Sequence, residues 1–406
     1  MKKQNRGLYA VIGVIILLMA GLVYAWSVMA KPIGASRPWT AAQLSLTFTL
    51  VMVFFCIGCL VAGFLSEKVA PRLYVVLAAI LFLAGFMLAS KTGEAPAMLY
   101  LGFGVLCGLG SGFAYNAVMS TISRWFPDKQ GMISGILLMG FGLSSFIVGK
   151  LYTAVTPSDG SDTWQATFRI MGIIIAIILF ICSFFVVRPP AGYKPAGMTE
   201  VGKKAVREPA MEATTSQMVR MPSFWMYYIW AIVISAVGLV LVSQAGGIAT
   251  QVGTGVADGT IATVVGLISI LNGIGRVFFG SLFDKKGYKP TMILDMIIFL
   301  IATGILIAAL RSGNFALIVL GFVVGGFAYG GVTPTNSALI SDFFGRQNFS
   351  LNFSVINTNL LIASFASTIA GKLYDASQSY MSTLLMMGIL TIVAFGVFLT
   401  IRRPKS

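Results

Sequence analysis

The sequence predicts an all-α integral membrane protein with twelve transmembrane helices in two pseudo-symmetric six-helix halves. Three observations predict it: a composition too apolar for water, twelve apolar runs of spanning length, and a long polar stretch between the sixth and the seventh. Of the 406 residues 57% are hydrophobic and 10% charged, with a mean hydropathy of +0.89; soluble domains carry about 25% charged residues. A helix needs about 20 residues to cross a hydrocarbon core of about 30 Å, and lipid offers its backbone no other partners.

The apolar runs lie near 8–30, 41–66, 73–90, 96–122, 131–153, 167–187, 223–250, 259–283, 290–310, 314–341, 349–373 and 379–401. The first is expected to be retained, because it is too long for a signal peptide and lacks a small-residue cleavage pattern. Residues 188–222 are rich in Pro, Gly, Lys and Glu and lack apolar periodicity. They read as a linker between halves 1–187 and 223–406.

Twelve spans place both termini on one side. The loops on that side, with the linker, hold 20 Lys and Arg against 7 on the other, so the termini are expected in the cytoplasm. The net charge of +15 is read as topology. No basic stripe or aromatic platform suggests nucleic acid. Histidine is absent, which removes an imidazole relay. Cys56, Cys59, Cys107 and Cys182 all fall in apolar runs. The Cys56–Cys59 pair lacks a second pair, so small buried thiols are expected rather than a zinc or redox site. No cofactor, metal or enzyme chemistry is indicated, and a monomer is expected.

The halves echo each other. Gly149-Lys-Leu-Tyr152 recurs as Gly371-Lys-Leu-Tyr374, and Gly112-Phe-Ala-Tyr115 as Gly326-Phe-Ala-Tyr329. Ile122-Ser-Arg124-Trp-Phe126 parallels Ile340-Ser-Asp342-Phe-Phe344, with four more residues intervening in the second copy. Such duplication places a site near the midplane between halves.

After span eight comes Gly280-Ser-Leu-Phe-Asp284-Lys285-Lys-Gly287, and after span two a degraded copy, Gly63-Phe-Leu-Ser-Glu67-Lys-Val-Ala-Pro-Arg72. This pattern resembles the cytoplasmic loop motif of the major facilitator superfamily, and the resemblance implies that fold, with a charge network at the gate. Gly280, Asp284, Lys285, Gly287, Glu67 and Arg72, with Arg124 and Asp128, are the gating candidates. Arg124-Trp-Phe-Pro-Asp-Lys-Gln-Gly131, Tyr24-Ala-Trp-Ser27 and Asn272-Gly-Ile-Gly-Arg276 look like the oxalate–formate antiporter and monocarboxylate transporter branch. That likeness implies carriage of small carboxylates.

Arg276 is the only charge between Thr260 and Phe283, where a buried guanidinium costs at least about 2.5–3.5 kcal/mol. Asn272 stands one turn away on the same face. A planar guanidinium fits a carboxylate bidentately, and the asparagine amide can serve a further oxygen. Snorkelling to the interface and pairing with a structural acid are the competing accounts. Tyr115, Asn116, Tyr329, Asn357 and Tyr24 are further substrate-binding candidates, although helix–helix hydrogen bonding would explain each. Gly104, Gly108 and Gly112, and Gly321 with Gly325, suggest close helix packing.

Two departures from the family pattern narrow the expectation. Dicarboxylate antiporters of this branch have a lysine in span eleven, and here residues 350–371 of that span have no basic residue, so a second carboxylate would stay unpaired. Animal proton-coupled carriers place an aspartate directly before the span-eight arginine, and position 275 is glycine. Asp295 is read as a poor substitute, within snorkelling reach of the interface. The expected function is therefore secondary transport of small monocarboxylates such as lactate, pyruvate or formate by alternating access in a bacterial inner membrane. Exchange is expected to outrun net flux, with protons left open as the coupling ion. Oxalate–formate type antiport and a neutral solute with a structural Arg276 remain as alternatives.

Overall fold

The computed structural model describes residues 6–66, 68–126, 130–190, 193 and 209–404; the candidates Glu67 and Asp128 lie outside them. Twelve helices are long and apolar enough to span a bilayer, and no strand occurs among the described residues. Spans one to six are Arg6–Ala25, Gln43–Phe64, Pro71–Ala89, Ala97–Trp125, Met132–Val155 and Thr163–Ser183. Spans seven to twelve are Pro222–Val252, Gly259–Lys286, Tyr288–Ser312, Phe315–Phe344, Phe349–Ser377 and Met381–Phe398.

Local chemistry bends several of them. Span one tightens into a 3-10 turn over Gly21–Ala25 before a helix resumes from Trp26 to Ser36, past the expected end at residue 30. Gly21 lies against the Phe141 carbonyl of span five, where a side chain would clash. Pro334 sits inside span ten and leaves the Gly330 carbonyl without its helical donor. Span eleven breaks at Thr358, between helices Phe349–Asn357 and Asn359–Ser377.

Glycine sets the closest approaches in both halves, and in matching places. A Cβ on Gly108 would sit 2.8 Å from the Val51 carbonyl oxygen, and one on Gly326 would sit 2.6 Å from that of Ile268. A Cβ on Gly112 would meet the Phe55 carbonyl and lie 2.8 Å from the Cys59 nitrogen. Its counterpart on Gly330 would meet the Asn272 carbonyl and lie 2.8 Å from the Arg276 nitrogen. Span four thus packs on span two as span ten packs on span eight, with Gly112 equivalent to Gly330. The Gly-Phe-Ala-Tyr match paired Gly112 with Gly326 and is one helical turn out of register. The Ile122 and Ile340 match has the packing register.

The last part of the expected linker is structured. Thr214 and Gln217 form a capping box on a one-turn helix, Thr215–Met218, and span seven starts at Pro222. Backbone bonds run from Ala210 N to Asp342 O and from Ala213 N to Phe344 O. The chain before span seven is therefore fastened to the last turn of span ten. The four cysteines are free and buried.

Candidate functional site

Arg276 is 2% exposed and Asn272 4%. Snorkelling is therefore overturned: the guanidinium turns inward, to the seam between halves. Its Nε donates to Asn272 Oδ1 at 2.8 Å, and its Nη1 donates to the Leu138 carbonyl of span five at 2.6 Å. Neither partner is an acid, so no side chain bonded to the guanidinium offsets its charge. Among the described residues Nη2 has no partner.

Arginine has only donors, so Asn272 must offer its oxygen to Nε. The Nδ2 amide is then turned elsewhere, and it is buried with no hydrogen-bond partner. The cationic side chain thus has donor capacity to spare, and Asn272, one helical turn away, keeps a buried donor unmet. A buried unmet donor costs about 1–3 kcal/mol, which an acceptor with two oxygens would recover.

Glycines bring the two halves together here. A Cβ on Gly135 would sit 2.7 Å from the Arg276 carbonyl, and one on Gly142 would sit 2.9 Å from Asn272 Oδ1. The two glycines stand seven apart, two turns on one face of span five. Arg276, Asn272, Gly142, Tyr24 and Tyr329 line a small cavity with room for about one water molecule. The hydroxyls of Tyr24 and Tyr329 meet across the seam at 3.4 Å. Ile268, Ser269 and Val242 complete the lining.

Other candidates lie elsewhere. Asn116 donates to Ser354 at 2.6 Å and accepts from Ser350 at 3.2 Å, so its amide joins the halves nearer the linker end. Tyr115 is packed among the rings of Phe55, Phe141 and Phe353. It stands one turn beyond the place that Tyr329 would predict, as the corrected register requires. Asn357 is buried beside the break in span eleven, and neither of its amide atoms has a partner. None of these three lines the cavity.

The gating candidates gather at the linker end. Gly287 takes φ +78° between spans eight and nine, a conformation that favours glycine. Gly280 is buried, whereas Asp284, Lys285, Arg72 and Arg124 are exposed. Arg403 pairs with Asp342 at 2.9 Å. Burial pulls the Arg346 guanidinium down from its ordinary range, while Glu212, Asp284 and Asp342 push it back up. Glu212 also accepts from the Arg346 and Gln347 amides, in space that a side chain on Gly345 would fill. Sequence reasoning missed Glu212, Leu138 and Gly142. For Gly142 the seven-residue spacing from Gly135 was a usable signal.

The model of the Major Facilitator Superfamily matches residues 8–303 and 245–406. An oxalate:formate antiporter of Oxalobacter formigenes is 27% identical over 97% of this chain and 90% of its own. Monocarboxylate transporter 13 of Rattus norvegicus is 22% identical over 95% of this chain and 86% of its own. Among solved structures, the proton:xylose symporter XylE superposes with a TM-score of 0.67 at 14% identity, covering 99% of this chain and 98% of that one. A bacterial homologue of the human lysosomal transporter Spinster gives 0.67 at 16%, each chain covered over its whole length.

Proposed function

The chain belongs to the Major Facilitator Superfamily, and within it we propose a secondary carrier of small organic monocarboxylates such as lactate, pyruvate, formate or acetate. It would work by alternating access in a bacterial cytoplasmic membrane, with both termini in the cytoplasm. One observation carries the reading: a buried guanidinium on the seam between halves has no acidic partner among the described residues, and the Asn272 side chain bonded to it keeps a buried Nδ2 without a partner. A carboxylate supplies two oxygens and one negative charge to those donors.

The relatives' names, an oxalate:formate antiporter and a monocarboxylate transporter, support an organic anion. They leave oxalate–formate type exchange as the second reading. The charge inventory favours a monoanion, because among the described residues Arg276 is the one cation lining the cavity and span eleven has no basic residue before Lys372. A second carboxylate would lie desolvated and unpaired. Exchange should outrun net flux, since a carrier returning without an anion closes over a guanidinium that no acid contacts.

Uptake of labelled lactate, pyruvate, formate and acetate into proteoliposomes tests this. Arg276→Lys keeps the charge and loses the planar fork, and should lower uptake by roughly 100-fold, two charge-assisted bonds being at stake. Arg276→Gln should do the same. Transport retained in both variants, with insertion verified, overturns the reading.

A further inference from the structure

Asp295 of span nine is 1% exposed, and neither carboxyl oxygen has a hydrogen-bond partner. The expected snorkelling is overturned here too. The residue stands seven positions past Tyr288, about 10 Å along the helix, but its side chain turns to span ten instead of the headgroups. A Cβ on Gly331 would sit 2.5 Å from Asp295 Oδ1 and 3.0 Å from the Phe279 ring of span eight. The missing side chain of Gly331 is therefore the notch that receives the carboxyl group.

Among the described residues the surroundings offer no counterion. Tyr227 of span seven is the titratable neighbour, and its hydroxyl donates to Asn336 Oδ1 at 2.6 Å. Span ten presents Gly331 and span eight Phe279. Span twelve has no titratable residue between Met381 and Phe398. Among the described residues no cation pairs with Asp295. With no group in contact to pair with it, an ionised carboxylate in this notch is costly unless a charge elsewhere in the closed core offsets it.

We propose that Asp295 is a proton-binding site, filled and emptied once per net transport cycle and coupled through span ten to the anion on Arg276. Gly330, next to the notch, packs on the Asn272 and Arg276 backbone, so one turn of span ten touches both sites. The proposal rests on the carboxylate reading of Arg276. A proton from water on one side bonds to an Asp295 oxygen while the substrate carboxylate settles on Arg276. After reorientation that O–H bond breaks, the proton passes to water on the other side, and the anion leaves. One proton travels with one monoanion and no net charge moves. If only one of the two sites is filled, the closed core holds one uncompensated charge, so half-loaded forms reorient slowly. Exchange proceeds with the proton retained.

Asp295→Asn is near-isosteric and cannot ionise. In proteoliposomes, an inward proton gradient should accelerate labelled lactate or formate uptake by the wild type. In the variant that stimulation should vanish while exchange against internal substrate at equal pH persists; Asp295→Ser serves if the asparagine form fails to insert. The infrared difference between wild type and variant should contain the carbonyl stretch of a protonated carboxylic acid at neutral pH. Gradient stimulation undiminished in the variant, or a difference spectrum without that band, overturns the proposal. Wild type that exchanges carboxylates without responding to the gradient overturns the proton site alone. Wild type that takes up no carboxylate overturns the substrate reading beneath it.

Discussion

Spans two and eight hold matching places in the two halves and do opposite things with them. Span two gives Phe55 and Cys59 to the close crossing at Gly112, and span eight gives Asn272 and Arg276 to the close crossing at Gly330. The backbone contact is alike at both: a carbonyl and, four residues on, an amide nitrogen against a glycine. Cys59 donates its Sγ–H to the Gly112 carbonyl at 3.4 Å, a weak bond within its own half. Arg276 reaches across the seam to Leu138. The duplicated crossing holds two side chains in each half, and of the two only the second copy holds a charged one. A charge in both copies would add a second desolvated cation to the core, whereas span two carries a phenyl ring and a thiol at these places.

The largest effect should come from neutralising the charged copy from within. Asn272→Asp sets a carboxylate where Oδ1 lies 2.8 Å from Arg276 Nε. The internal pair should weaken substrate affinity by roughly two orders of magnitude, about 3 kcal/mol. Undiminished competition by lactate or formate in that variant would break the contrast between the copies. Next in size is a matched pair, Gly330→Ala and Gly112→Ala. Each overpacks a crossing and should cost about 1–3 kcal/mol of stability, read as a lower unfolding temperature. Only the Gly330 variant should also raise the half-saturating substrate concentration, because only that crossing supports Asn272 and Arg276.

A smaller effect is expected from charge count. Oxalate should compete for the site roughly tenfold less well than formate or lactate, about 1.4 kcal/mol; oxalate ranking first would bring a second cation into the cavity. Smallest of all is Cys59→Ala, which removes one weak sulfur donor and should change exchange by less than about threefold, under roughly 1 kcal/mol.

The twelve spans were legible because length and apolarity are all that a bilayer asks of a helix. Arg276 stood out because one guanidinium in an apolar run has few explanations. Its partner was hidden, since the Leu138 carbonyl is a backbone group that every residue carries. Asp295 was misjudged because distance from a span end can be counted along a sequence but the face it turns to cannot; Gly331, which decides that face, lies in another helix. The Gly-Phe-Ala-Tyr repeat misled by one turn, because four identical letters match equally well at a shifted register, while the packed glycines match at only one. Glu212 fell in a stretch whose composition reads as linker, and its place is fixed by amides in the turn between spans ten and eleven.

The bond from Arg276 to Leu138 has an evolutionary side. Its acceptor is a main-chain oxygen, so no substitution at position 138 can delete it, and the side chain there is free to drift with its packing. The seam between the halves is protected from mutation at the very point where it holds the charge. What can be lost is the approach, because a methyl on Gly135 would press on the Arg276 backbone and one on Gly142 would crowd the Asn272 side chain. Among descendants of this chain, those two glycines should resist change more stubbornly than the leucine whose oxygen they deliver.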